Sequence, residues 1–206
     1  MQDLFSSEEG ERLDLPDADV RLYAHALSPA DADTTFQALL KQTQWLDFTV
    51  VVWGKTHPQP RRVAWYGDPG TSYGYSGAKV EPLSWTPLLD KLRRRMESIT
   101  GGSFNSVLLN LYRDGNDNLG MHSDNESELG PTPLIASLSL GESRDFQLKH
   151  RSRADLKTTH VLLSHGSLLV MAGQTQQHWK HGLRRETRTL GPRINLTFRH
   201  VRPRPR

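Results

Sequence analysis

Hydrophobic residues in this chain change their period near residue 104, and that change restricts the fold more than any other feature of the sequence. Before it, two stretches repeat at helical spacing. Ser28-Pro29 puts a capping side chain ahead of a proline at the first helical position, and Phe36, Leu39 and Leu40 form an apolar stripe that runs to about Thr43. Thr86-Pro87 opens a second helix with Leu88, Leu89, Leu92, Met96 and Ile99 along one side, and Gly101 and Gly102 supply its stop. Its Arg93, Arg94 and Arg95 are expected on a solvated face. After residue 104 the apolar runs are short and are broken by Gly, Asp, Asn and Pro. The pattern predicts strands over 107–112, 135–140, 145–149, 160–163, 168–171 and 193–201. Two helices therefore precede a β-rich core. This is a mainly β protein with flanking helices, of the α+β class, built on a sandwich or a barrel, and a jelly roll is one arrangement that limits exposed strand edges.

At 206 residues, with no internal repeat and no linker rich in Gly and Ser, a single domain is expected. Residues 1–19 carry seven acidic side chains and read as a loose, acidic N-terminal arm, 20–201 as the domain, and 202–206 as a basic tail in which Arg alternates with Pro. The arm lacks the basic start and apolar stretch of a secretory signal, and no 18 apolar residues run together, so no membrane partner and a cytoplasmic location are expected. The chain has no cysteine, which excludes disulfides, thiolate metal sites and thiol nucleophiles; a metal has to use the nine His or the Asp and Glu side chains. Residues 184–206 hold eight Arg against one Glu, which suits a phosphate-bearing partner.

Three clusters carry chemistry. In His122-Ser123-Asp124 the residues two apart share a face of an extended segment, with Glu126 next along it if the strand continues, so His122 and Asp124 can meet one ion. Such a triplet is common enough by chance that it identifies nothing alone. The second cluster, Gln177-His178-Trp179-Lys180-His181-Gly182, offers His181 or His178 as a third ligand. Two His and one carboxylate leave open positions that suit non-haem Fe(II) and oxygen chemistry. The third, residues 193–199, alternates strictly: Arg193, Asn195, Thr197 and Arg199 on one face, Ile194, Leu196 and Phe198 on the other. Its polar face meets water or lines a pocket for a ligand that needs two guanidinium groups, such as a small dicarboxylate. Asn110 and Tyr112 share a face in the same way and add an amide and a phenol.

Taken in order with Ala64-Trp65-Tyr66-Gly67-Asp68, Tyr73-Gly74-Tyr75-Ser76-Gly77, Phe104-Asn105-Ser106 and Ile135-Ala136-Ser137-Leu138-Ser139-Leu140-Gly141, these clusters give a chain that resembles the AlkB family of Fe(II)- and 2-oxoglutarate-dependent dioxygenases. The likeness runs over residues 53–201 and is greatest to the animal AlkB homologues that repair alkylated nucleic acids. It implies a double-stranded β-helix, or jelly-roll, core. It favours His181 over His178, making His122, Asp124 and His181 the iron ligands, and it implies that Arg193, Asn195, Thr197 and Arg199, with Asn110 and Tyr112, form the 2-oxoglutarate site.

The resemblance further implies oxidative demethylation of 1-methyladenine and 3-methylcytosine in DNA, with O2 as second co-substrate and formaldehyde released. The alternative reading keeps iron and 2-oxoglutarate but takes RNA or a non-nucleic-acid substrate. Tyr75, with Tyr73 beside it, resembles the family's stacking residue, and Glu126 matches an acidic base-contacting position; an aromatic face and a carboxylate both favour a cationic methylated base. Trp53 is a candidate wedge for the gap left by a flipped base, with Lys55, Arg61 and Arg62 as phosphate contacts. The chain departs from the family pattern at Lys180 and Asn125, which bears on lesion and strand preference. A monomer is expected.

Overall fold

The computed structural model describes residues 10–52, 55–71, 73–75 and 78–202. In chain order they form β1 (Glu11–Arg12), β2 (Asp19–Tyr23), α1 (Pro29–Gln42), β3 (Leu46–Val52), β4 (Lys55–Gly67), β5 (Tyr73–Tyr75), β6 (Ala78–Val80) and α2 (Pro87–Thr100). There follow β7 (Ser106–Tyr112), β8 (Leu119–His122), β9 (Ile135–Gly141), β10 (Arg144–His150), β11 (Thr159–Leu163), β12 (Leu168–Ala172), the short α3 (Thr175–His178), β13 (Trp179–Leu183) and β14 (Arg193–Arg199). Both long helices begin as their sequences dictate. Ser28 and Thr86 accept hydrogen bonds from Asp31 N and Leu89 N, and Gly101 closes α2 in the left-handed conformation at φ 69°.

Eight strands make the larger sheet in the order β1-β2-β12-β9-β14-β7-β4-β3, and four make a smaller one in the order β11-β10-β13-β8. Two apolar clusters lie on opposite faces of the larger sheet. On the outer face Leu39 of α1 and Leu89, Leu92 and Met96 of α2 pack against Leu109, Leu138, Leu196 and Phe198. Between the sheets Ile135, Leu169 and Met171 meet Phe146, Leu148, Leu163 and Trp179. The strict alternation of β14 follows from this layering: Ile194, Leu196 and Phe198 belong to the helix side, and the polar residues between them face the inter-sheet chamber. This is the jelly-roll core that the resemblance implied.

Three expectations need correction. The strands do not wait for residue 104: β1 to β4 supply half of the larger sheet, interleaved with the helices. β4 was hidden by Pro58 and Pro60, which are tolerated because β4 has only β3 beside it there; pairing with β7 starts at Arg62. Residues 10–19 are not loose. β1 pairs with β2, Leu13, Leu15 and Ala18 pack against the inter-sheet core, and Trp179 Nε1 donates to Pro16 O at 2.9 Å, while Asp14 stays in water. Arg93 leaves the solvated face of α2 to stack 4.7 Å over Trp85 and to pair with Asp68 and Asp90, whereas Arg94 and Arg95 remain exposed. No helix among the described residues is long and apolar enough to cross a membrane.

Candidate metal and dicarboxylate site

Strand register brings the histidines together. β8 lies beside β13 with His122 opposite His181, and the ring centroids are 4.3 Å apart. The approach depends on Gly182, where a Cβ would sit 2.8 Å from Leu119 O and 2.9 Å from Met121 Sδ, so a side chain there would push β8 away. Asp124 follows β8 by two residues and is buried. Its N–H donates to Gln176 Oε1 at 2.9 Å, and the adjacent Ser123 Oγ donates to Trp179 O at 2.8 Å, so the turn is pinned to α3 and β13. Ligand atoms of His122, Asp124 and His181 all lie within 4.8 Å of one another.

The protonation states suit a cation. His122 Nδ1 lies 2.9 Å from Gly120 O, which accepts its proton and leaves the Nε2 lone pair facing Asp124 Oδ1 at 3.5 Å. Burial, and then the neighbouring His122, push His181 down to about 3, so its ring is neutral, and its buried Nδ1 has no partner among the described residues. Burial by itself would raise the Asp124 carboxyl; Arg199, whose Nε and Nη2 donate to Asp124 Oδ2 at 3.0 and 2.7 Å, outweighs it and holds the group well below the usual carboxylate range. The result is a neutral His181, a His122 whose Nε2 is turned toward Asp124, and one carboxylate, a donor set that fits Fe(II).

At the other end of the chamber Arg193 lies opposite Tyr112 across the β14–β7 pairing, with Asn195 opposite Asn110. Arg193 is buried, its Nη2 donates to Ser139 Oγ at 2.9 Å, and its Nε is unpartnered among the described residues. Burial lowers it to about 10; Tyr112 opposes this and Arg144 adds to it. A buried cation with an unspent N–H calls for an anion. Asn195 is satisfied by Ser137 Oγ, Leu138 O and Thr197 Oγ1, so Asn195 and Thr197 shape the wall.

Other expected residues scatter in instructive ways. Arg199 and Arg193 both line the chamber but stand at opposite ends of β14, six residues of strand or about 20 Å apart, and Arg199 grips Asp124. Arg61 turns into the chamber wall and donates from Nε to Asn110 Oδ1 at 2.8 Å, which corrects its assignment to a phosphate, and Arg62 pairs with Asp47 at 3.0 Å. Glu126 lines the chamber with Oε2 buried and unpartnered among the described residues. Trp53 lies outside the described residues, as do the side chains of Lys55, Tyr73 and Tyr75. His178 falls elsewhere, in a second group with Asp17 and His150. The sequence reading missed Ser137 and Ser139, although both obey the period of β9, and Gln176 and Arg144, whose partners lie tens of residues away.

Comparisons with known proteins agree with this geometry. The sequence profile described as the 2OG-Fe(II) oxygenase superfamily matches residues 19–199. The chain is 42% identical over 188 residues to the human protein named "DNA oxidative demethylase ALKBH2", covering 87% of this chain and 72% of that one. It is 39% identical over 195 residues to the human "Alpha-ketoglutarate-dependent dioxygenase alkB homolog 3", covering 91% and 68%. Among solved structures, the one titled "The structure of OsALKBH1" superposes with a TM-score of 0.64 at 20% identity, over 87% of this chain and 97% of that one, which shows a shared fold.

Proposed function

Because the chain belongs to the AlkB family within the 2OG-Fe(II) oxygenase superfamily, we propose that it oxidatively demethylates N-alkylated bases, 1-methyladenine and 3-methylcytosine, in DNA. One observation carries the reading. A single chamber holds His122, Asp124 and His181 at one end and, at the other, a buried arginine with an unspent N–H. The choice of DNA draws on the relatives, which are named as DNA oxidative demethylases.

In this reading His122, Asp124 and His181 would hold Fe(II), which with only three protein ligands would have coordination positions to spare for the co-substrate. Arg193 and the Tyr112 phenol take the distal carboxylate of 2-oxoglutarate, and Asn110, steadied by Arg61, lies beside them. Arg199 keeps Asp124 ionised and fixes its orientation. The chemistry supplied when Fe(II), 2-oxoglutarate and O2 are bound is oxidative decarboxylation coupled to hydroxylation of an N-methyl group, whose product releases formaldehyde and the repaired base. Glu126 selects the lesion, because a carboxylate oxygen buried without a partner is stabilised by the positive charge of 1-methyladenine or 3-methylcytosine and not by the neutral parent bases. A base in duplex has to leave its stack to arrive here, at a cost of roughly a few kcal/mol; Trp53 is proposed as the wedge, and Tyr73, Tyr75 and Lys55 as contacts to the flipped nucleotide. One chain carries every residue invoked, so a monomer suffices.

The test is mass spectrometry of a 1-methyladenine oligonucleotide, single-stranded and duplex, in DNA and RNA forms, incubated with enzyme, Fe(II), 2-oxoglutarate and O2, with succinate assayed in parallel. Loss of one methylene mass from the DNA, absent in Asp124→Ala, is expected. Turnover confined to the RNA oligonucleotide, or succinate without any change in either nucleic acid, moves the substrate elsewhere, and no succinate at all overturns the catalytic reading.

A further inference from the structure

Arg144 opens β10 and is fully buried. Removing a guanidinium from water is expensive unless its N–H groups are matched, and here they are. Nε donates to Glu186 Oε1 at 3.0 Å, Nη1 to Asp114 O at 3.2 Å, and Nη2 to both Asp117 O at 3.0 Å and Arg184 O at 2.8 Å. The acceptors Asp114 and Asp117 lie in the turn that leads into β8, and Arg184 and Glu186 in the segment that leaves β13. One side chain thus ties together the ends of the two strands that carry His122 and His181.

The same group also lies against Tyr112, a residue of the chamber wall. The guanidinium carbon of Arg144 is 5.9 Å from the centroid of the Tyr112 ring, and that of Arg193 is 5.2 Å from the same ring. Two buried cations therefore share one phenol. Glu186 balances Arg144 only in part, because its Oε2 also accepts from Arg188 Nε at 2.8 Å, and Arg193 has no carboxylate partner among the described residues.

We propose that Arg144 is a positioning residue for the distal carboxylate of the co-substrate: it holds the Tyr112 ring in place and adds its charge to that of Arg193, so that the chamber takes a dicarboxylate in preference to a monocarboxylate. The proposal rests on the reading of the chamber given above. It requires no new step in the reaction and assigns no contact between Arg144 and the co-substrate. If Arg144 were only a bolt between strands, its removal would loosen the chamber for every 2-oxo acid alike. As an electrostatic positioning group, it has to discriminate between acids that differ by one carboxylate.

Calorimetry with Mn(II) in place of Fe(II) separates these roles without turnover. The two ligands are 2-oxoglutarate and 2-oxopentanoate, which has the same carbon chain without the distal carboxylate. The wild-type protein is expected to prefer 2-oxoglutarate. Arg144→Met is expected to shrink that preference roughly ten-fold while changing 2-oxopentanoate binding by no more than about two-fold, and Arg144→Lys to restore part of it. Equal weakening of both ligands in Arg144→Met overturns the proposal. Should Arg144→Met fail to fold, Glu186→Gln decides: it strips the counter-ion and leaves the three carbonyl acceptors, so the preference should sharpen, and an unchanged or reduced preference overturns the proposal. A wild-type protein that binds the two acids equally overturns the chamber reading itself, and the role of Arg144 with it.

Discussion

Two groups of two histidines and one aspartate occur among the described residues, and in each the ligand atoms approach within 4.8 Å. By composition and proximity they are equivalent, but their second ring nitrogens are not. In the chamber, His122 gives its Nδ1 proton to Gly120 O and so presents a lone pair at Nε2. In the other group, His150 Nδ1 accepts from the backbone N–H groups of Ser152 and Arg153 at 3.3 and 3.0 Å, so the ring proton sits on Nε2, 3.5 Å from Asp17 Oδ2. A metal at that nitrogen would displace the proton and set an Nδ1–H against two N–H donors. The second group is a fastening: Asp17, in the left-handed conformation at φ 58°, steers the N-terminal segment toward His150, which stands edge-on to Trp179 with centroids 5.1 Å apart. Proximity of ligand types does not make a metal site. The hydrogen bonds on the far side of the His122 and His150 rings tell the two groups apart.

Substitutions break or sharpen that contrast. The largest effect is expected for Asp124→Ala, which removes a ligand and the carboxylate that Arg199 grips; base demethylation should fall by more than about a hundred-fold, measured as product mass per enzyme. Gln176→Ala frees the backbone of Asp124 without touching a ligand, and a metal titration should show affinity reduced by roughly ten-fold. His150→Ala reverses the pattern. It should leave metal affinity unchanged and lower stability by roughly 1–2 kcal/mol in denaturant melts, since two backbone N–H groups lose their acceptor and Trp179 loses its neighbour. Asp17→Asn, which tolerates the same backbone conformation, should lower stability by less than about 1 kcal/mol, because the Asp17 side chain is about half exposed. A fall in metal affinity in His150→Ala as large as that in Asp124→Ala would erase the distinction.

Legibility in the sequence followed the range of the interactions. α1 and α2 were readable to within a residue or so, since Ser28, Thr86 and Gly101 act on atoms a few residues away. β14 was readable because its two faces meet two different cores, which writes a strict alternation into residues 193–199. β4 and β13 were not: one carries Pro58 and Pro60 where a neighbouring strand is missing on one side, and the other, Trp-Lys-His-Gly-Leu, is a strand only because β8 and β10 flank it. Within the site, His122 and Asp124 stood out by their spacing, whereas the choice of His181 over His178 needed the family resemblance. The structure supplies its cause in the β8–β13 register. Gln176 and Arg144 carry no local signal, because what they bind is backbone brought near by the fold.

Equilibrium binding of Mn(II), counted per chain in the wild-type protein, Asp124→Ala and His150→Ala, tests the central claim most directly. One equivalent should bind to the wild type and to His150→Ala and disappear from Asp124→Ala. Two equivalents in the wild type, or one that survives in Asp124→Ala and vanishes in His150→Ala, would contradict the claim that the far nitrogens of His122 and His150 decide which cluster holds the metal.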